Sequence, residues 1–142
     1  MTVSGDIRHV SLDLWLTLIR SNPAFKPART RLFMEHFGIP GPISAGHEAF
    51  NKYDRLFNVI NEATGLNLTR HQMLYSILAH LGKDVEAVPL SMLDGFFEAC
   101  DALFFEHRPQ LMDPGTAATL NALREAGITV SILSNTGFIH GG

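Results

Sequence analysis

Two kinds of hydrophobic pattern alternate along the chain. Residues 7–12 (IRHVSL) run through Asp13 into LWLTLI, a stretch rich in Val, Ile and Leu that stops at Arg20, Ser21, Asn22 and Pro23. A run of this kind, closed by turn formers, predicts a buried strand and its exit loop. A second run, residues 128–133, follows Gly127 and ends at Ser134, Asn135, Thr136 and Gly137. It predicts the only other convincing strand. Just before it, Asp113, Pro114 and Gly115 open a segment in which Ala117, Ala118, Leu120, Ala122, Leu123 and Ala126 recur at helical spacing, with Gly127 as the stop. A helix that leads directly into a strand is half of a βαβ unit.

The long segment between the strands has helical periodicity throughout, with breaks at 38–42, 65–67, 82–84 and 108–109. Those breaks predict helices over 27–37, 44–64, 69–81 and 88–107, with Ser44 and Thr69 as N-caps. Phe96, Phe97, Leu103, Phe104 and Phe105 make the last of them apolar on more than one side, which predicts a helix sandwiched between layers. The order is therefore strand, all-helical insertion, helix, strand. No internal repeat or low-complexity segment interrupts it.

Composition narrows the class without naming a reaction. With 142 residues, 46% hydrophobic and 18% charged, the chain matches one globular domain. No apolar run approaches the roughly 18 to 20 residues that span a bilayer, and MTVSGDIRH lacks the charged-then-apolar layout of a secretory signal, so no membrane partner is expected. Eleven Lys and Arg against 14 Asp and Glu give a net charge of −3, and the basic residues are scattered, which argues against nucleic acid. The single cysteine, Cys100, has no internal disulfide partner, and a reducing cytoplasm is the expected setting. The seven histidines lack the spacing of a zinc site and read as solvated or helix-end residues.

Candidate chemistry gathers at the strand ends, where open parallel sheets bind their ligands. Asp13 closes the first strand, and Ser134 closes the second, 121 positions later. A carboxylate can act as a nucleophile, while a hydroxyl and turn N–H groups can hold an anion. Arg20, Lys26, Arg29 and Arg31 follow the first strand. Such a run is ordinarily a solvated helix face, and Arg20, nearest the strand end, is the best of the four as an anion contact.

The segment Asp13-Leu14-Trp15-Leu16-Thr17-Leu18 resembles the first motif of the haloacid dehalogenase superfamily, an Asp-x-Asp-x-Thr-Leu or Val pattern, and Ile132-Leu133-Ser134-Asn135-Thr136-Gly137 resembles its second, an apolar strand ending in Ser or Thr and often Asn. The helical insertion is similar to the cap that many members carry after the first strand. The resemblance implies an α/β fold with a Rossmann-like parallel-sheet core at 1–19 and 108–142, incomplete at the C-terminus, and an all-helical cap at 20–107. It implies a hydrolase in which Asp13 is the nucleophile, most commonly a phosphatase acting on a small phosphorylated metabolite. Ser134 and Asn135 would contact the transferring group, and Thr17 would brace the loop. In the phosphatase branch Mg²⁺ would be held by Asp13, by the backbone carbonyl of Trp15, and by an acid from a later motif.

Two departures qualify this. Trp15 stands where most phosphatase members have an Asp general acid, a group worth about 10²- to 10⁴-fold. An aromatic there is closer to the dehalogenases proper, where halide leaves without protonation and no metal is needed, although Leu16 replaces their usual small residue. The chain also stops at Gly142, before the units that supply a Lys and the metal-binding acid in the family. A truncated and weakly active hydrolase, a sheet completed by a second copy, or a non-catalytic helical interaction module are the expectations that follow.

Overall fold

The computed structural model describes residues 6–134, which are mostly helical with a small amount of strand. Asn135, expected above as a site residue, therefore lies outside the described residues. The chain divides into two compact units, one from residues 6–21 and 109–134 and the other from 22–108.

In the first unit, β1 (His9–Asp13) pairs in parallel with β4 (Thr129–Leu133), in the register His9 with Thr129 through Asp13 with Leu133. A short second ladder joins β2 (Ile19–Arg20) to β3 (Gln110–Leu111) in antiparallel fashion. The sequence pattern missed both, because two-residue strands carry no periodicity. Helix α5 (Thr116–Glu125) ends at Gly127, whose φ of +74° suits glycine, and the Ile128 N–H bonds the Leu123 carbonyl as the chain turns into β4. Val130 of β4 lines one groove with Leu120 and Arg124 of α5.

The α/β character holds at this level, as a two-stranded parallel sheet with an accompanying helix; the described residues do not extend it to a full Rossmann-like core. The expectation of buried strands is corrected. No residue of β1 or β4 is fully buried, and Ile132 and Leu133 are 56% and 72% exposed. Parallel strands normally have both faces covered, so an apolar run in the sequence registers suitability for burial and not burial itself.

The second unit holds α1 (Phe25–His36), α2 (Ile43–Thr64), α3 (Arg70–His80) and α4 (Leu90–Glu106), with a 3-10 turn at Val85–Ala87. Thr69 closes a capping box with Gln72, satisfying N–H groups at the start of α3 in both directions. Gly65, at φ +69°, ends α2 in the left-handed conformation that glycine adopts without strain. Every fully buried residue among those described lies in this unit, around Phe33, whose ring packs against Phe37, Phe50 and Phe96 at centroid distances of 5.0 to 5.4 Å.

Helix α4 is not sandwiched as its composition suggests. Leu93 and Phe96 are buried, Phe104 meets Phe25 edge-on, and Phe105 is 69% exposed. One face packs and the other does not.

Helices α1 and α2 approach closely at Gly46. A Cβ there would lie 2.7 Å from Thr30 Cγ2 and 3.0 Å from Met34 Sδ, and Thr30 is fully buried with its hydroxyl donating to the Lys26 carbonyl. Gly46→Ala is expected to destabilise the helical unit by about 1 to 3 kcal/mol through overpacking, despite the better helix propensity of alanine. Urea unfolding followed by circular dichroism measures this, and an unchanged or raised midpoint would contradict the packing.

Candidate functional site

The parallel register fixes the geometry at the carboxyl end of the sheet. Asp13 stands opposite Leu133, so Ser134 leaves β4 at the same edge, directly beside the end of β1. Two residues 121 positions apart are thereby brought to one end of the sheet, where the strands release their chains. Both side chains are exposed.

The loop after Asp13 is tightly organised. Thr17 Oγ1 donates to Asp13 Oδ2 at 3.0 Å, tying one carboxylate oxygen to the loop. The Leu18 and Ile19 N–H groups both bond the Leu14 carbonyl, at 2.9 and 3.0 Å, and the Leu16 N–H bonds the Ile19 carbonyl at 2.8 Å. This closed turn holds Leu16 at φ +60°, a left-handed conformation that costs a branched residue about 1 to 2 kcal/mol. Leu16 is 76% exposed, so hydrogen bonds and not packing of its own side chain hold it there. The outcome is a rigid loop that presents the carboxylate. Trp15, half-buried, contributes its backbone carbonyl to the same loop.

Arg20 lies on β2, exposed and paired with Gln110, and no described hydrogen bond links its side chain to Asp13. The other basic residues separate in a way that their spacing did not reveal. Lys26 and Arg31 are exposed, whereas the Arg29 guanidinium stacks 4.1 Å over the Phe50 ring and its Nε is buried without a hydrogen-bond partner among the described residues. Burial pulls Arg29 below its ordinary range, opposed by Asp54 and Cys100, and burial pushes Asp54 up, opposed by Arg29 and Lys26. Arg29 is thus part of the helical packing and not of a solvated face.

Sequence reasoning also passed over a polar row on β1 and β4. His9, Ser11 and Asp13 alternate along β1 and so share one face, and Thr129 and Ser131 stand opposite the first two. The period-two alternation was the signal for it. Among the described residues no three His, Cys, Asp or Glu side chains group as a metal site, and no helix is long and apolar enough to cross a membrane. For a hard cation the loop offers the Asp13 carboxylate and the Trp15 carbonyl, a donor set that suits an ion keeping several waters and taking substrate oxygens.

No protein-family model matches this chain, and no curated protein matches its sequence.

Cys100 lies on α4, and burial, the dominant cause, pushes its thiol from 9.0 up to about 12, against the opposing pull of Arg29. Iodoacetamide at pH 8 is expected to alkylate Cys100 at least about tenfold more slowly in the folded chain than in urea, as read by mass spectrometry. Equal rates would show that the thiol is not held in this environment. An unfolded chain ionises this thiol above pH 9 while the folded chain does not, so stability from this group is present below pH 9 and falls as pH rises toward 12.

Proposed function

We propose that the chain is a haloacid-dehalogenase-like hydrolase that uses Asp13 as its nucleophile, with a small phosphorylated metabolite as substrate. The observation that supports this reading most directly is the Asp13 carboxylate, held by Thr17 at 3.0 Å on a closed loop, at the sheet end where Ser134 also emerges. In this reading the other carboxylate oxygen, Oδ1, attacks phosphorus as the P–O bond to the ester oxygen breaks and the alkoxide or phenoxide departs, and water then hydrolyses the acyl phosphate to inorganic phosphate and the free Asp13 carboxylate. On the resemblance, Ser134 and Asn135 would hydrogen-bond the transferring group, and the exposed Arg20 on β2 would add positive charge. Mg²⁺ would be held by Asp13 and the Trp15 carbonyl and would supply charge neutralisation for the phosphoryl oxygens. A reducing cytoplasm is the proposed setting.

Trp15 shapes the chemistry because an indole cannot protonate a departing alkoxide. Esters with poor leaving groups should therefore turn over slowly, and aryl phosphates should turn over faster. The same residue supports a second reading, a metal-free hydrolase of small halogenated acids, in which halide departs from carbon as Asp13 attacks and needs no proton. Exposed Leu16, Leu111, Met112, Ile132 and Leu133 support self-association of the sheet unit. Sedimentation velocity across a concentration series should show dimers or larger species, and a monomer throughout would remove this part of the proposal.

The deciding experiment compares p-nitrophenyl phosphate with an alkyl phosphate, with and without Mg²⁺. Asp13→Asn is expected to lower aryl phosphate turnover by about 100-fold or more, and Trp15→Asp to raise alkyl phosphate turnover by about 100-fold, the low end of general acid catalysis. Aryl phosphate turnover that survives Asp13→Asn would refute the nucleophile. Halide release from 2-chloropropionate without metal, in place of phosphate release, would select the second reading.

A further inference from the structure

The exposed face of the β1–β4 ladder carries a hydrogen-bonded chain of five groups outside the Asp13 loop. His9 Nδ1 lies 2.8 Å from Thr129 Oγ1, and His9 Nε2 lies 3.0 Å from Ser131 Oγ and 3.3 Å from Ser11 Oγ. The two serine oxygens are 2.8 Å apart. Thr129 Oγ1 donates its single hydrogen to the Arg8 carbonyl at 2.8 Å.

That last bond sets the direction of the others. Because the Thr129 hydroxyl has spent its proton on Arg8, its oxygen can only accept from His9, which puts the imidazole hydrogen on Nδ1. Nε2 is then the acceptor. The shorter of its two contacts is to Ser131, whose O–H donates to it, leaving the Ser131 oxygen to accept from Ser11. The result is a hydroxyl aimed at an unprotonated imidazole nitrogen whose opposite nitrogen is fixed by a third residue. This arrangement activates a weak nucleophile, and it recurs on unrelated folds because it depends on geometry and not on sequence order. His9 and Ser11 are exposed and Ser131 is half-buried, so a small acyl donor can reach them.

We propose that Ser131 is a second nucleophile, with His9 as its general base and Thr129 as the positioning residue, and that the pair accepts acyl groups from small activated esters. The Ser131 oxygen bonds to the ester carbonyl carbon as its proton passes to His9 Nε2. Collapse of the tetrahedral adduct breaks the bond between the carbonyl carbon and the aryl oxygen and expels the aryl oxide, and His9 gives its proton to that oxide or to solvent, which returns Nε2 to its unprotonated form. Water, deprotonated by His9, then attacks the acyl-serine, releasing the carboxylic acid and restoring the Ser131 hydroxyl. The site is independent of the Asp13 chemistry, so neither reading stands or falls with the other.

The test uses p-nitrophenyl acetate on the full chain. A burst of p-nitrophenolate and an acetyl group mapped to Ser131 by peptide mass spectrometry are expected, with Ser131→Ala abolishing that adduct and His9→Gln slowing acylation by about 100-fold. The adduct map on the unsubstituted chain stands even if a variant misfolds, and circular dichroism checks each variant. Acetyl found on Ser11 or on a lysine in place of Ser131, no adduct at all, or an acylation rate indifferent to His9→Gln would each overturn the proposal.

Discussion

Parallel pairing of β1 with β4 joins residues about 120 positions apart, and both the emergence of Ser134 beside the Asp13 strand end and the hydroxyl-imidazole row depend on it. The ladder puts Asp13 opposite Leu133 and so sends Ser134 out at the same edge. The same register sets His9 against Thr129 and Ser11 against Ser131. Because side chains alternate between faces with a period of two, a slip of one residue would move His9 and Ser11 to the opposite face from their partners. One set of backbone hydrogen bonds thus decides both the strand-end site and the polar row.

The two units rest on different forces. In the helical unit, Phe33, Phe37, Phe50 and Phe96 form a buried aromatic centre, supported by Leu74, Ile77, Leu78 and Leu93. In the sheet unit, no described residue is fully buried, and order comes from the strand ladders, the closed loop at 14–19 and the hydroxyl-imidazole chain. Hydrogen bonds exposed to water contribute only about 1 kcal/mol each, whereas fully burying a large apolar side chain contributes about 1.5 to 3 kcal/mol. The candidate chemistry therefore lies on the less buried unit, where local opening costs least.

Within the strand-end loop, backbone conformation and side-chain chemistry pull in different directions. Leu16 is held in a left-handed conformation by the Leu14 and Ile19 carbonyl bonds around it, while Thr17 orients Asp13. Strain of this kind persists only where the surrounding bonds overdetermine the turn, and it is concentrated here beside the one carboxylate that the loop presents. On the proposed hydrolase reading, Trp15 between them limits what that carboxylate would accomplish, since a nucleophile without a nearby acid depends on the leaving group.

Much of the secondary structure was determined by the sequence alone. Helical spacing, the Thr69 cap and the glycine stops at 65 and 127 locate α1 to α5 to within a few residues, because local periodicity and caps act over one or two turns. The two main strands were legible for the same reason, as was Asp13 at the end of one and Ser134 at the end of the other. Tertiary structure decided the rest. Which strand neighbours which, that Arg29 stacks on Phe50 while Arg20 stays exposed, and that His9 meets Thr129 and Ser131 all depend on how the chain folds back on itself. A hydropathy pattern can say that a residue suits burial or a strand face. It cannot say what will lie across from it, because that partner is chosen by register and packing.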